Sequence, residues 1–236
     1  MNIVKMQMNL PLNVKRGVYK GLTLAGVALQ DANSRNEYWL QILKPLQDRF
    51  KSIVCQENFN RVYHEENIKS EVLDILECLV GTYKIVKSFN LLIQKNFIRK
   101  FVLGVAQGAH STTVQALFQY LGPILSELST LIGVYHNYQQ VVELILTLFC
   151  ECAKNLISYL SQSESRRIYE SCLQTIQTYA KCNSGRLTID SDAQEDSFRH
   201  ILLLMELLTN LLSKDFIDLS RPGTQSIQKI FSNFIT

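Results

Sequence analysis

The chain has 236 residues, of which 47% are hydrophobic, enough for one large domain or a short array of repeats. A net charge of +3 carries no electrostatic footprint for nucleic acid as the main partner. Only 10 Gly and 4 Pro are present, and strands with tight turns need these punctuators, so the composition points to helices.

Helical periodicity begins with a segment over about Leu12–Leu29, broken at Asp31-Ala-Asn-Ser34. Ser34 followed by Glu37 fits a capping box. Tyr38, Leu40, Ile42, Leu43, Leu46, Phe50 and Ile53 then form a stripe, with Pro45 inside it predicting a kink or break. The next stripe is Ile68, Val72, Leu73, Leu76, Leu79 and Val80, with Gly81 as its stop.

The stretch Thr82 to Gly104 does not fit. It carries Lys84, Lys87, Lys95, Arg99 and Lys100 and no acid, and its apolar residues point all round a helix. A basic amphipathic helix for a membrane surface or a calmodulin-like partner needs one apolar face. The stretch therefore reads as an atypical insert.

Ser111 is placed to cap a helix carrying Val114, Leu117, Phe118, Leu121, Leu125, Leu128 and Ile132, kinked at Pro123. A loop over Gly133 to Gln140 follows. Val141, Leu144, Ile145, Leu148, Phe149 and Cys152 mark the next helix, and Ile168, Cys172, Leu173, Ile176 and Tyr179 the one after, ended by Asn183-Ser-Gly185. A polar loop to Asp196 leads to a last helix with Phe198, Ile201, Leu202, Met205, Leu208 and Leu212 on one face.

That last stretch, ILLLMELLTNLLSKDFIDLS, has leucine spacing like a nuclear export signal and an apolar look like a membrane anchor. Its apolar core, interrupted by Glu206, falls short of the ~20 residues a span requires. It reads as a buried core helix whose leucines are inaccessible. Pro222-Gly223 breaks the chain, and 221–236 reads as a poorly ordered tail.

Helix pairs recurring without strands predict an all-α fold, an α-solenoid of HEAT or armadillo-like repeats over 1–220, with a single helical bundle as the competitor. The six cysteines form no C-x-x-C pair, no N-x-Ser/Thr sequon occurs, and the start shows no signal-peptide pattern. Free thiols in a reducing compartment are expected.

No motif carries catalysis. There is no P-loop, no G-x-G-x-x-G, no G-x-S-x-G and no H-E-x-x-H. His64, His110, His136 and His200 are far apart, and Cys150 and Cys152 point in nearly opposite directions on a helix, a poor arrangement for chelation. Neither an enzyme nor a cofactor or metal site is predicted. Trp39 with Tyr38 could anchor an interface, but packing between helices is the better reading. The one candidate contact is an acidic loop, Asp190, Asp192, Glu195 and Asp196, facing a cationic partner. It lacks the glycine and final glutamate of a calcium loop.

Several stretches resemble the exportins of the importin-β (karyopherin-β) family of nuclear transport receptors: ILLLMELLTNLLSKDFIDLS, YWLQILKPLQDRF (Tyr38 to Phe50), QENF (Gln56 to Phe59) and YESCLQTIQTYAKCNSGR (Tyr169 to Arg186). The resemblance covers about Leu12 to Gly81 and Val105 to Ser220, and stops at the insert and the tail. A retained intron or a misjoined gene model would add segments of that kind.

The resemblance implies a HEAT-repeat receptor that shuttles between nucleus and cytoplasm. It implies binding of protein cargo with Ran-GTP and passage through FG-repeat nucleoporins. The cargoes it suggests are the hypusine-containing translation initiation factor 5A and Smad proteins. Such receptors are several times longer, with Ran-binding repeats at their N-terminal end that this chain lacks. An array cut from its neighbours leaves an apolar end, so the chain is expected to self-associate. A Ran-independent helical scaffold is the alternative reading.

Overall fold

The computed structural model describes residues 10–29, 31–83, 102–183 and 191–213, and every regular element among them is helical. In chain order these are α1 (Leu12–Ala28), α2 (Ala32–Val54), the single turn α3 (Phe59–Val62), α4 (Glu66–Tyr83), α5 (Val102–Leu121), α6 (Leu125–Val134), α7 (Gln139–Asn155), α8 (Gln162–Asn183) and α9 (Ser191–Leu212). Tight 3-10 turns at Gly122–Ile124 and Ile157–Tyr159 join α5 to α6 and α7 to α8.

The helices form two layers. α1, α4, α7 and α9 lie side by side in the first, each packed on the next. The second holds α2, then α5 with α6, then α8; α2 packs on α5 and α6 on α8. Across the layers α2 rests on α1 and α4, α6 on α7, and α8 on both α7 and α9. The chain alternates between layers, so each helix pair buries its apolar faces against its neighbours. This is the all-α stacked array of a helical solenoid. The most enclosed large side chains, among them Trp39, Phe50, Tyr83, Leu117, Tyr135 and Phe149, run through it as one continuous core.

Several local expectations need correction. The cap of α2 is Asp31, whose carboxylate accepts from the Ser34 amide at 2.7 Å, so Ser34 is already inside the helix. α2 runs unbroken through Pro45. The ring removes a bond to the Gln41 carbonyl, and Gln41 is exposed, so water can take that oxygen. Leu40 is also exposed, off the buried stripe. At Gly122-Pro123 two breakers adjoin, and there the helix does split.

Gly81 does not stop α4. A Cβ there would lie 2.5 Å from the Arg16 carbonyl oxygen, so glycine is what lets α1 and α4 approach. Thr82 and Tyr83, the first residues of the expected insert, are fully enclosed in α4, and the Tyr83 hydroxyl donates to the Leu117 carbonyl at 2.9 Å. Val102 to Gly104, its last, belong to α5; residues 84–101 lie outside the described residues. The expected 133–140 loop shrinks to the residues between α6 and α7.

Thr112–Val134 is long and apolar enough to cross a membrane by length and composition. It is split by the Gly122 turn, and 56% of its most apolar window is buried against other helices, as in a core helix.

Candidate functional surface

The first repeat is fastened by charge. Lys15 on α1, only 8% exposed in its side chain, lies 2.6 Å from the Asp74 carboxylate on α4. Arg49 of α2 reaches Glu71 at 3.2 Å and Asp74 at 3.8 Å, so Asp74 joins three helices. Arg16 pairs with Glu77 beside it. Buried carboxylates need such partners because desolvation costs several kcal/mol per unpaired ion. Each charge is engaged within the fold, so this cluster reads as a brace for α1, α2 and α4.

The second brace is aromatic. Tyr135 is fully buried, its ring set edge-on to Tyr63 at 5.5 Å and Tyr138 at 5.6 Å, and its hydroxyl donates to the Tyr63 carbonyl at 2.9 Å. Lys69 sits over the Tyr138 ring at 5.2 Å. Trp39 is enclosed completely, edge-on to Tyr38, and no Trp39 or Tyr38 interface anchor is on offer. Arg167 of α8 donates to the Gly122 carbonyl at 2.7 Å and lies over Phe118, satisfying an oxygen freed where α5 ends.

None of these groups is arranged for chemistry. Among the described residues no three His, Cys, Asp or Glu side chains gather as a metal site. Cys150 donates to the Leu203 carbonyl on α9, and Cys152 and Cys172 are fully buried. Burial is the main cause that pushes the Cys78 and Cys150 thiols up to about 12, so both stay protonated and unreactive. His200 is buried, its Nε2–H donating to the Gln139 carbonyl at 3.2 Å, with its ring edge-on to Tyr179.

The expected acidic loop is partly helix. The backbone of Asp192, Glu195 and Asp196 lies in the first two turns of α9. Asp190 lies outside the described residues.

The surface that sequence reasoning missed is on the same helix. Leu204, Leu207, Leu208 and Leu211 are buried against α7 and α8. Phe198, Ile201, Leu202, Met205 and Leu212 are 62%, 45%, 53%, 53% and 44% exposed. α9 therefore has two apolar stripes, and the one expected to be core, except for Leu208, faces out. Lys154–Glu206 at 3.1 Å and Arg199–Glu143 at 3.0 Å clamp α9 to α7, fixing which stripe is which.

Among the described residues, a two-layer stack of helix pairs defines an all-α helical-repeat array. The model of the Exportin-4 family matches residues 2–235, and the chain belongs to that family. The bounds of the match enclose both the insert and the tail. The chain is similar to Exportin-4 of Dictyostelium discoideum, 23% identical over 181 residues. That alignment covers 77% of this chain and spans only 14% of the relative's length.

Proposed function

We propose that this chain is a segment of a nuclear export receptor, which binds protein cargo together with Ran-GTP and carries it from nucleus to cytoplasm. The family match carries the reading. The two-layer array supports it, because repeats that touch only their neighbours make a flexible surface. Ran-GTP and cargo can each favour one curvature of such a surface, and each then raises the other's affinity. The receptor would act without catalysis and pass the pore on FG-repeat nucleoporins. In this reading the array spans 1–220, the insert lies between α4 and α5, and 221–236 forms a tail.

The cargo classes proposed are the hypusinated translation initiation factor 5A and Smad proteins. Asp190, Asp192, Glu195 and Asp196 are the proposed contact for a cationic cargo side chain. The test uses the full-length receptor carrying this segment. Cargo affinity should rise at least about fivefold when Ran-GTP is added, as coupling of 1–3 kcal/mol implies. Affinity independent of Ran-GTP would refute the transport reading and favour a plain scaffold. Neutralising the four acids should weaken the factor 5A complex; unchanged affinity would remove them from the contact.

A further inference from the structure

The second layer contains a long helical run broken in its middle. α5 and α6 are parted only by the 3-10 turn Gly122–Ile124. A 3-10 stretch within a helix marks a place where it can bend. Pro123 has no N–H, so the Gln119 carbonyl loses its helical donor. Ile124 then leaves the helical torsions, at φ −124° and ψ 6°. The Pro123 ring itself is exposed.

The two halves belong to different neighbours: α5 packs on α2, and α6 on α8. The hydrogen bonds divide in the same way. On the α5 side the Gln47 amide of α2 donates to the Tyr120 carbonyl at 2.8 Å, and the Tyr83 hydroxyl of α4 to the Leu117 carbonyl at 2.9 Å. On the α6 side the Ser129 hydroxyl lies 3.1 Å from the Ser171 carbonyl of α8. Arg167 crosses between the halves. It stands on α8, yet its Nη2 donates to the Gly122 carbonyl at 2.7 Å and its guanidinium lies 5.7 Å from the centre of the Phe118 ring of α5. Glycine at 122 keeps that approach open, since a Cβ there would lie 3.1 Å from the Phe118 ring and 3.4 Å from Arg167 Nη1. Arg167 is exposed and holds a neutral oxygen, so water can replace the bond at small net cost.

We propose that the Gly122-Pro123 joint is a hinge of the array and that Arg167 is the latch that sets its angle. With the latch open, α6 and α8 swing as one body against α2 and α5. The swing turns about Ile157–Tyr159, which touches α5, α7 and α8 together. The first layer, where α4 packs directly on α7, stays whole and acts as the spine. The proposal rests on the helix order and these bonds, and it stands apart from the transport reading.

Double electron–electron resonance on the full chain tests it, with spin labels on the exposed Cys55 and the half-buried Cys182. Cys55 ends α2 and Cys182 lies near the end of α8, one on each side of the joint. From Arg167 to Cys182 is about 22 Å along α8, so a change of about 10° at the joint, half a sharp kink, moves that label by about 4 Å. Arg167→Leu should shift or broaden the distance distribution by that amount, while hydrogen exchange still finds α4 and α7 protected. Arg166→Leu removes only an exposed pair with Glu170 within α8 and should leave the distribution as in the wild type. Pro123→Ala, at an exposed position, restores the missing N–H and should narrow the distribution in the Arg167→Leu background. A distribution unmoved by Arg167→Leu would overturn the proposal. So would an equal change from Arg166→Leu, which would be an effect of surface charge alone. Loss of protection in α4 and α7 on Arg167→Leu would make Arg167 a prop of the whole core and overturn it too. A distribution left broad by Pro123→Ala would put the flexing elsewhere, with the same consequence.

Discussion

Replacing Gly81 with Ala sets two effects of opposite sign against each other. In an exposed helix, Ala is favoured over Gly by about 0.8–1 kcal/mol. At Gly81, however, the new methyl would sit 2.5 Å from the Arg16 carbonyl oxygen and 3.2 Å from its carbonyl carbon and Cα. Backbone cannot swing away as a side chain can, so α1 must be pushed off α4. Overpacking of that kind costs typically 1–3 kcal/mol, and displacement would also loosen the neighbouring Lys15–Asp74 pair. The net expectation is a loss of about 1–2 kcal/mol, or a drop of roughly 2–8 °C in Tm for a chain of this size.

Gly17 and Gly21 on α1 provide the control. Beyond the neighbouring residues and backbone of α1 itself, no atom lies within 4 Å of a Cβ at either, so Gly→Ala there should stabilise by up to about 1 kcal/mol. Urea midpoints of the three variants, followed by circular dichroism at 222 nm, read the contrast directly. If Gly81→Ala stabilises as much as Gly17→Ala, the close crossing of α1 and α4 is wrong, and with it the role assigned to glycine.

Lys15→Met should cost about 2–3 kcal/mol, below the ~3–5 of a fully buried broken pair because Arg49 remains 3.8 Å from Asp74. Adding Asp74→Leu should restore most of the loss; a double variant as unstable as the sum of the singles would contradict a paired brace. Of the six cysteines, Cys55 is exposed and Cys182 half-buried, so a thiol reagent should modify these two quickly in the native chain and the other four only after unfolding. Four or more fast thiols would refute the packing of α7 and α8. Burial raises Cys78, Cys150 and Tyr135 to about 12, whereas unfolded thiols ionise near 8.5. The unfolded chain thus releases protons first, so the stability from these groups is complete at neutral pH and is lost as pH rises through 9 towards 12. A urea midpoint that stays flat from pH 7.5 to 10.5 would refute that.

What the sequence could disclose depended on how local the cause was. Stripes such as Ile168–Cys172–Ile176–Tyr179 are set by helix period alone, and they are buried as expected. Pro123 breaks the helix because Gly122 precedes it, whereas Pro45 does not, because the carbonyl it frees reaches solvent. Gly81 misled because a glycine needed for a close crossing looks the same in sequence as a glycine that ends a helix. α9 misled for a related reason. Periodicity reveals that a helix has an apolar stripe, but a helix with two does not say which turns inward. The clamps that decide it, Glu143 to Arg199 and Lys154 to Glu206, join residues more than fifty apart in sequence. The acidic quartet was visible as composition, but the backbone under it was not, since its helix begins at Ser191 rather than after Asp196.

The place of residues 84–101 in the layer order has its own consequence. They connect α4, a first-layer helix, to α5 in the second, while α4 packs on α1 and α7 through the helix itself. The α1–α4–α7–α9 row is therefore held in register by packing of helix on helix, whatever the length of chain that links its members.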